Sequence, residues 1–462
     1  MSHSSTDPQF LDPQAHDPKA HDPKALDPHV VPKNTVTDAE PTPPKTGRLA
    51  AASSIGTALE WYDFTVYNIM AALIFNHVFF PSFDPLVGTI LAFSTYAVGY
   101  VSRPIGGMVF GHLGDVLGRK FVLVTTLVIM GVTTALMGLL PGYASWGIWS
   151  PLLLVSLRFI QGIALGGEWA GAVLLSMEHG KPEQRGRNAS FAQVGPSCGT
   201  LIGTGLITLV TVFLSAEDFQ LWGWRIPFLL SLVLVAFGLW LRRGVGETPA
   251  FLKLEQTKNT THTPIKEVFT QHLRPLLVAG GARIGSDVLY ALVVVFTLTY
   301  VTTVLHLPRP LALTATMLGA LGNAITVPMF GALSDKWGRR PVYIMGAALA
   351  IVWSVVFFML LDSAHPVLIC LAVIGGLQVH AMMYGPQAAF VTEQFPTRVR
   401  YAGSSLAYTL SGIVGGGFAP LIITTLFKEY SSTFAVSAYV TVALLLTLLA
   451  VFAAKETAKK PL

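Results

Sequence analysis

The chain has 462 residues, 52% of them hydrophobic and only 12% charged, with a mean hydropathy of +0.58 and a formal net charge of +5. A soluble domain carries about 25% charged residues, so a large soluble fold is set aside. Two cysteines, Cys198 and Cys370, each inside an apolar run, exclude a disulfide framework and a CxxC metal site.

Residues 1–48 differ from everything after them. Asp-Pro recurs every five residues from Asp7-Pro8 to Asp27-Pro28. Proline at that density blocks helix and strand alike, so a disordered cytoplasmic tail is expected. It has no apolar h-region and is no cleavable signal peptide. Its histidines, His16, His21 and His29 among them, read as part of a solvated low-complexity tract.

Twelve apolar spans follow, at about 50–78, 86–110, 121–140, 150–178, 188–214, 224–242, 276–304, 310–332, 342–361, 367–393, 401–426 and 433–454. The expected fold is all-α and membrane-integral, twelve transmembrane helices in two six-helix repeats. The bundles cover 49–242 and 275–454, with a polar cytoplasmic loop over 243–274 between them and a cytoplasmic tail over 455–462. Lys and Arg crowd alternate loops, while the opposite loops hold only Arg225, Arg309 and Lys428. That bias places both termini in the cytoplasm.

A charge at the bilayer centre costs at least ~2.5 kcal/mol, so each intramembrane ionisable residue either pairs or marks a pathway. On helix one, Glu60, Asp63 and Tyr67 share a stripe at 100° per residue. Helix two carries Arg103, about 12 Å from its cytoplasmic end, expected to pair with an acid near the inner gate. Next comes "GHLGDVLGRK" at 111–120. Gly111, Gly114 and Gly118 permit a tight reversal and close helix approach. Asp115 suits a neighbouring helix N-terminus, and Arg119 and Lys120 hold the loop inside. On helix four, Arg158, Gln161 and Glu168 share a broad face. Helix seven offers Arg283 and Asp287, four apart and able to pair with each other, with Tyr290 beyond. Helix eight adds Asn323; helix ten adds His380, Tyr384 and Gln387.

The loop motif recurs as "GALSDKWGRR" at 331–340. Gly331, Asp335, Gly338, Arg339 and Arg340 repeat the first copy at a constant offset of 220 residues. "MEHGKPEQRGR" and "TEQFPTRVR" likewise place Glu178 and Glu393 alike, each followed by Pro and Arg. Duplication of this kind fits a transporter with its substrate site near the midplane, between the halves. The paired loops read either as a latch that holds helix ends in one state or as basic topogenic turns; the repeat favours the latch.

Both copies match the G-x-L-x-D-x-x-G-R-[RK] signature, and the chain resembles the major facilitator superfamily. "EWYDFTVYN", "SRPIGG", "RFIQGIALGGEWAGA", "WGWRIPF", "TEQFPTRVRYAGSSLAY" and "VGGGFAP" look like the metabolite:proton symporter family, over about residues 49 to 454. That family includes permeases for shikimate, α-ketoglutarate, citrate and proline/betaine. "LAFSTYAVGYVSRPIGG" and "LWGWRIPFLLS" look most like its shikimate-type members. The resemblance implies a proton-coupled symporter in a bacterial plasma membrane. It also implies a helix-one acid working with a helix-four arginine.

On this reading Asp63 is the proton carrier, Arg158 its modulator and Glu168 a secondary proton site. Glu60 joins them as a partner for a cation. Tyr67, Gln161, Arg283, Asp287, Tyr290, Asn323, His380, Tyr384 and Gln387 line the substrate site. Arg103, Glu178 and Glu393 are structural groups at the inner gate. The expected cargo is a small organic anion, because an arginine fork holds a carboxylate bidentately. A zwitterion such as betaine in an aromatic cage of Trp61, Tyr62, Tyr67 and Tyr290 is the alternative, as is uncoupled facilitated diffusion. No metal-ligand spacing, GxSxG elbow or Walker P-loop occurs, so neither an enzyme, a cofactor nor ATP drive is expected. The partners expected are the cargo, the proton and the lipid bilayer, with no nucleic acid and a monomeric carrier.

Overall fold

In lipid every backbone N–H and C=O must find its partner within its own segment, which leaves helices for runs of this composition. The computed structural model describes residues 46–81, 85–243, 246–257 and 263–460. The Asp-Pro tail expected over 1–48 therefore lies, up to residue 45, outside the described residues. Those described hold no β-strand.

Twelve long helices follow in order. Helix α1 (46–78) comprises Thr46–Met70, a π-helical stretch Ala71–Phe75 and a last turn Asn76–Val78. Then come α2 Pro85–Val116, α3 Arg119–Leu139, α4 Trp149–His179, α5 Pro182–Phe213 and α6 Arg225–Arg243. The second set is α7 Leu273–Val304, α8 Arg309–Trp337, α9 Arg339–Leu361, α10 Pro366–Glu393, α11 Thr397–Tyr430 and α12 Thr433–Ala453. Ten of these, α3 to α12, are long and apolar enough to cross a membrane. The 32 residues of α2 rise about 48 Å, more than the ~30 Å of hydrocarbon.

Three details depart from expectation. The stretch 243–274 is not all loop: it contains the helices Pro249–Gln256 and Pro264–Gln271. Thr248 caps the first, its hydroxyl accepting from Phe251 N, and Phe251 and Val268 are buried. The repeated motif is mostly helix. Gly111 to Val116 end α2, and Gly331 to Trp337 end α8, so the reversal falls on Gly118 and Gly338 alone. Those two glycines have φ of 106° and 104°, a region that side chains resist. Finally, the motif arginines Arg119 and Arg339 are fully buried.

Glycine sets the closest helix contact of the N-terminal half. A Cβ at Gly106 of α2 would lie 1.8 Å from Ile163 O of α4, and one at Gly166 would lie 2.1 Å from Arg103 O. Only small residues let two backbones approach so closely. This contact sets α2 against α4 beside the charged interior.

Candidate functional site

Three acid–arginine pairs occupy the interior of α1 to α4 and α6. Asp63 pairs with Arg158 across α1 and α4. Asp63 Oδ1 also accepts from Thr134 Oγ1 of α3 at 2.9 Å, and Gln161 Oε1 accepts a second bond from Arg158. Gln161 Nε2 donates to Thr134 at 2.7 Å, and the Arg158 guanidinium lies 3.8 Å from the centre of the Tyr67 ring. Gln161 and Tyr67, expected to line the cargo site, thus touch this pair. Both are buried among helices of one half.

Glu60 pairs with Arg103 of α2 at 2.8 Å. The Arg103 guanidinium stacks on Tyr100 and Phe64, 4.3 and 4.7 Å from their ring centres. Arg103 is eight residues, about 12 Å, from Gly111 along α2. Glu168, expected as a second proton site, is held at 2.5 Å by Arg242 of α6 and at 2.5 Å by Thr126. Arg242 also donates to Leu123 O at 2.5 Å. A Cβ at Gly56 would lie 1.6 Å from Glu168 Oε1, so glycine there makes room for the pair.

On the facing side, Arg283 and Asp287 lie one turn apart on α7, at 3.0 Å. Arg283 also donates to Tyr408 O of α11, and its guanidinium lies 3.4 Å from the Tyr408 ring centre. Tyr408 stacks on Trp169 of α4, centroids 4.0 Å apart, so the two halves touch here. Further along α7, Tyr290 meets Trp61 of α1 at 5.5 Å and His380 of α10 at 5.4 Å. His380 lies 4.7 Å from the Tyr384 ring, with Asn323 Nδ2 3.5 Å from its Nδ1. The structure thus brings Tyr290, Asn323, His380 and Tyr384 together with Trp61. Gln387 stands apart, donating to Tyr343 at 2.9 Å and accepting from Gln193 of α5.

Below these groups the repeated motifs bind the halves. Asp115 accepts from the backbone N–H of Tyr401 and Ala402, at 3.3 and 2.9 Å, at the start of α11. Asp335 accepts from Gly186 and Arg187, at 2.8 and 3.0 Å, in the first turns of α5. A carboxylate there satisfies orphan donors and complements the helix dipole. Each aspartate is also paired with its own motif arginine, Asp115 with Arg119 at 3.3 Å and Asp335 with Arg339 at 2.7 Å. Glu178 lies 3.8 Å from Arg119 and 3.3 Å from Arg400; Glu393 lies 3.1 Å from Arg339 and 3.4 Å from Arg185. Both Glu178–Arg400 and Glu393–Arg185 cross between the halves. Arg119 also donates to Thr397 O at 3.2 Å.

Two further carboxylates went unread in the sequence. Glu247 accepts from Lys120 N at 3.0 Å, and Glu456 accepts from Arg339 N and Arg340 N at 3.0 and 2.9 Å. Each caps the helix that follows a motif glycine. Each opens an Glu-Thr pair just beyond the sixth helix of its half, and that recurrence was the available signal. Glu456 lies outside the spans, where burial alone would raise its pKa. Backbone donors at Ala458, Arg340, Arg339 and Thr457 outweigh that and hold it below the ordinary 4.5. Arg185 and Gln193, also unread, carry inter-half contacts. Arg185 Nη2 donates to Ala458 O and Lys460 O, at 3.0 and 2.8 Å, fastening the C-terminal tail.

Comparison with known proteins agrees with this architecture. A family model described as Major Facilitator Superfamily matches residues 53–420 and 289–462. The inner membrane metabolite transport protein YhjE of Escherichia coli is 39% identical over 415 residues, 89% of this chain and 94% of that one. A shikimate transporter of the same species is 39% identical over 387 residues, covering 83% and 88%. A proline/betaine transporter of Salmonella typhimurium is 34% identical over 427 residues, covering 90% and 85%. Among solved structures, the proton:xylose symporter XylE with a bound bromodeoxyglucose superposes with a TM-score of 0.72 at 18% identity, over 88% of this chain and 94% of that one.

Proposed function

The chain belongs to the major facilitator superfamily, a transporter and not an enzyme, and from that premise we propose that it takes up a small organic carboxylate together with protons. The cargo crosses a bacterial inner membrane by alternating access between two six-helix halves, 49–242 and 275–454, with both termini in the cytoplasm. The proton gradient supplies the energy, no cofactor takes part, and the carrier is a monomer. One observation supports this reading most: Arg103 and Arg283 stand in opposite walls, each ion-paired with an acid of its own half. An arginine whose counter-ion can be neutralised is a carboxylate site, and a proton is what neutralises it.

Asp63 and Arg158 are the pair that couples the proton to reorientation. Asp63→Asn mimics the protonated acid permanently. The variant is expected to bind cargo and to exchange labelled for unlabelled cargo in proteoliposomes, yet fail to accumulate it against a gradient. Proton influx with cargo that survives in Asp63→Asn would take the coupling role from Asp63 and pass it to another interior acid, Glu168 or Asp287. The relatives named for proline/betaine support a second reading, a zwitterionic cargo caged by Trp61 and Tyr290. Competition of uptake by shikimate, dicarboxylates, aromatic acids and betaine separates the two.

A further inference from the structure

Two of the interior acids that pair with a single arginine, Asp63 and Asp287, differ in one respect. Both oxygens of Asp63 are engaged, one by Thr134 and one by Arg158. Asp287 is not so satisfied. Arg283 Nε directs its hydrogen to Oδ1 at 3.2 Å; Oδ2, closed off from solvent, lies 3.0 Å from the same Nε in the ion pair but off its N–H direction, and accepts no hydrogen bond among the described residues. A buried carboxylate oxygen without a donor is costly, and the least expensive way to satisfy it is a proton.

The surroundings fit such an event. Asp287 leans on backbone rather than side chains: a Cβ at Gly415 would lie 2.9 Å from its Cβ and 3.3 Å from Oδ2. Arg283 has similar freedom, with a Cβ at Gly412 falling 3.1 Å from Nη1. Both glycines flank or belong to the π-helical stretch Ile413–Gly417 of α11, a kind of bulge common at functional sites. The groups that face Asp287 are few. Tyr408 comes from α11, Tyr384 from α10 and Tyr343 from α9. Across the site α2 presents Arg103, itself paired with Glu60 of α1, and Tyr100, whose ring would lie 3.8 Å from a Cβ at Gly416. The neighbouring helix α12 offers Thr447, bonded to Gly285 N at 2.8 Å. Its one titratable residue, Tyr439, is about 12 Å further along the helix. None of these is a second acid that could share the proton at contact distance.

Charge conservation then constrains what binds. Glu60, Arg103, Arg283 and Asp287 sum to zero, so an anionic cargo entering alone would leave an uncompensated charge in a low-dielectric interior. We propose that the carboxylate of the cargo takes the place of Asp287 on Arg283, and that Asp287 carries the proton that permits the exchange. The balance is simple. One proton from solvent attaches to Asp287 Oδ2, one carboxylate replaces it on the guanidinium, and the site keeps its net charge. Release on the other side reverses both steps. The rest of the cargo points along α7 toward Tyr290, seven residues and about 10 Å beyond Arg283. There Trp61, His380 and Asn323 offer ring faces and hydrogen bonds. The cargo class is therefore a monocarboxylate on a ring or short hydroxylated body.

This proposal rests on the reading of the chain as a proton-coupled carboxylate carrier. The purified full chain is screened by thermal stabilisation against shikimate, quinate, 4-hydroxybenzoate, α-ketoglutarate, proline and betaine. The best ligand is then titrated from pH 5.5 to 8.5. Wild-type affinity should fall about tenfold per pH unit over the alkaline part of the range, the mark of one linked proton. Asp287→Asn should bind with no such slope, and at pH 8.5 more tightly than wild type. Asp287→Glu should restore a slope. Size-exclusion profiles of each variant establish folding, and Asp287→Ser serves as a second neutral variant. A wild-type slope that persists in both neutral variants overturns this proposal alone. So does loss of binding at every pH in a folded Asp287→Asn, which would make the carboxylate itself a cargo ligand. A panel in which only proline or betaine binds overturns the parent reading, and this one with it.

Discussion

Single residues do unequal work in this chain, and the motif glycines show why. Gly118 has φ of 106°, and a Cβ there would lie 2.3 Å from Glu247 Oε2; Gly338 has φ of 104°, with Glu456 Oε2 at 2.9 Å. Both positions need the glycine for its backbone and for the space it leaves to a capping carboxylate. Gly118→Ala should therefore cost about 1–3 kcal/mol of strain, read as a shorter half-life at elevated temperature in detergent. An alanine variant as long-lived as wild type would show that the turn relaxes freely. Gly111 and Gly114 are different, being helical residues whose bare Cα lets α2 approach Ala402 and Tyr401 of α11. The sequence reading gave all three glycines one task because spacing alone does not say where a helix ends. Charged residues were more legible. Asp63, Arg158, Glu60, Arg103, Arg283 and Asp287 stand out in apolar runs, and each finds a partner from that same set. Arg242 did not stand out, because it lies at a helix end where basic residues are ordinarily topogenic. Gln193, Trp169 and Tyr408 did not because uncharged residues carry no conspicuous cost in lipid.

At the level of helices, the motif end is a set of caps. Asp115 holds the start of α11, Asp335 the start of α5, Glu247 the start of α3 and Glu456 the start of α9. The first two join the halves, and the other two act within a half. Asp115→Asn keeps the size but loses a charge at a helix N-terminus, worth about 0.3–2 kcal/mol. Uptake should fall with little change in the amount of protein in the membrane; normal initial velocity at normal abundance would remove the latch role. Glu456 offers a pH test. Its pKa is depressed on folding, so its contribution is complete above the ordinary 4.5 and is lost as pH falls through the lower folded value. Wild-type thermal stability should therefore drop more steeply below pH 4.5 than that of Glu456→Gln, and parallel acid limbs would count against the cap. The helices Pro249–Gln256 and Pro264–Gln271 were hidden in the sequence by the polarity of the stretch around them. Their start signals, Thr248-Pro249 and Thr263-Pro264, were nevertheless present.

For the molecule as a whole, hydropathy alone made the twelve-helix architecture legible, because lipid leaves so few alternatives to a helix. The repeat of the motifs made its internal likeness legible as well. What stayed hidden was the pairing across halves, since a sequence offset relates equivalent positions and not touching ones. Glu178 and Glu393 are equivalent, yet each reaches an arginine of the opposite half, Arg400 and Arg185. The motif aspartates go further in one respect: what they grip is main chain. Asp115 holds the amides of Tyr401 and Ala402, and Asp335 those of Gly186 and Arg187. An amide is the same in every residue except proline. These hydrogen bonds thus make no demand on the side chains opposite; close packing does, since a Cβ at Gly186 would lie 2.3 Å from Arg339 Nη1. A chimaera that joins one half of this chain to the other half of a relative would keep the main-chain part of the clasp, while the Glu178–Arg400 and Glu393–Arg185 pairs would still need their partners opposite.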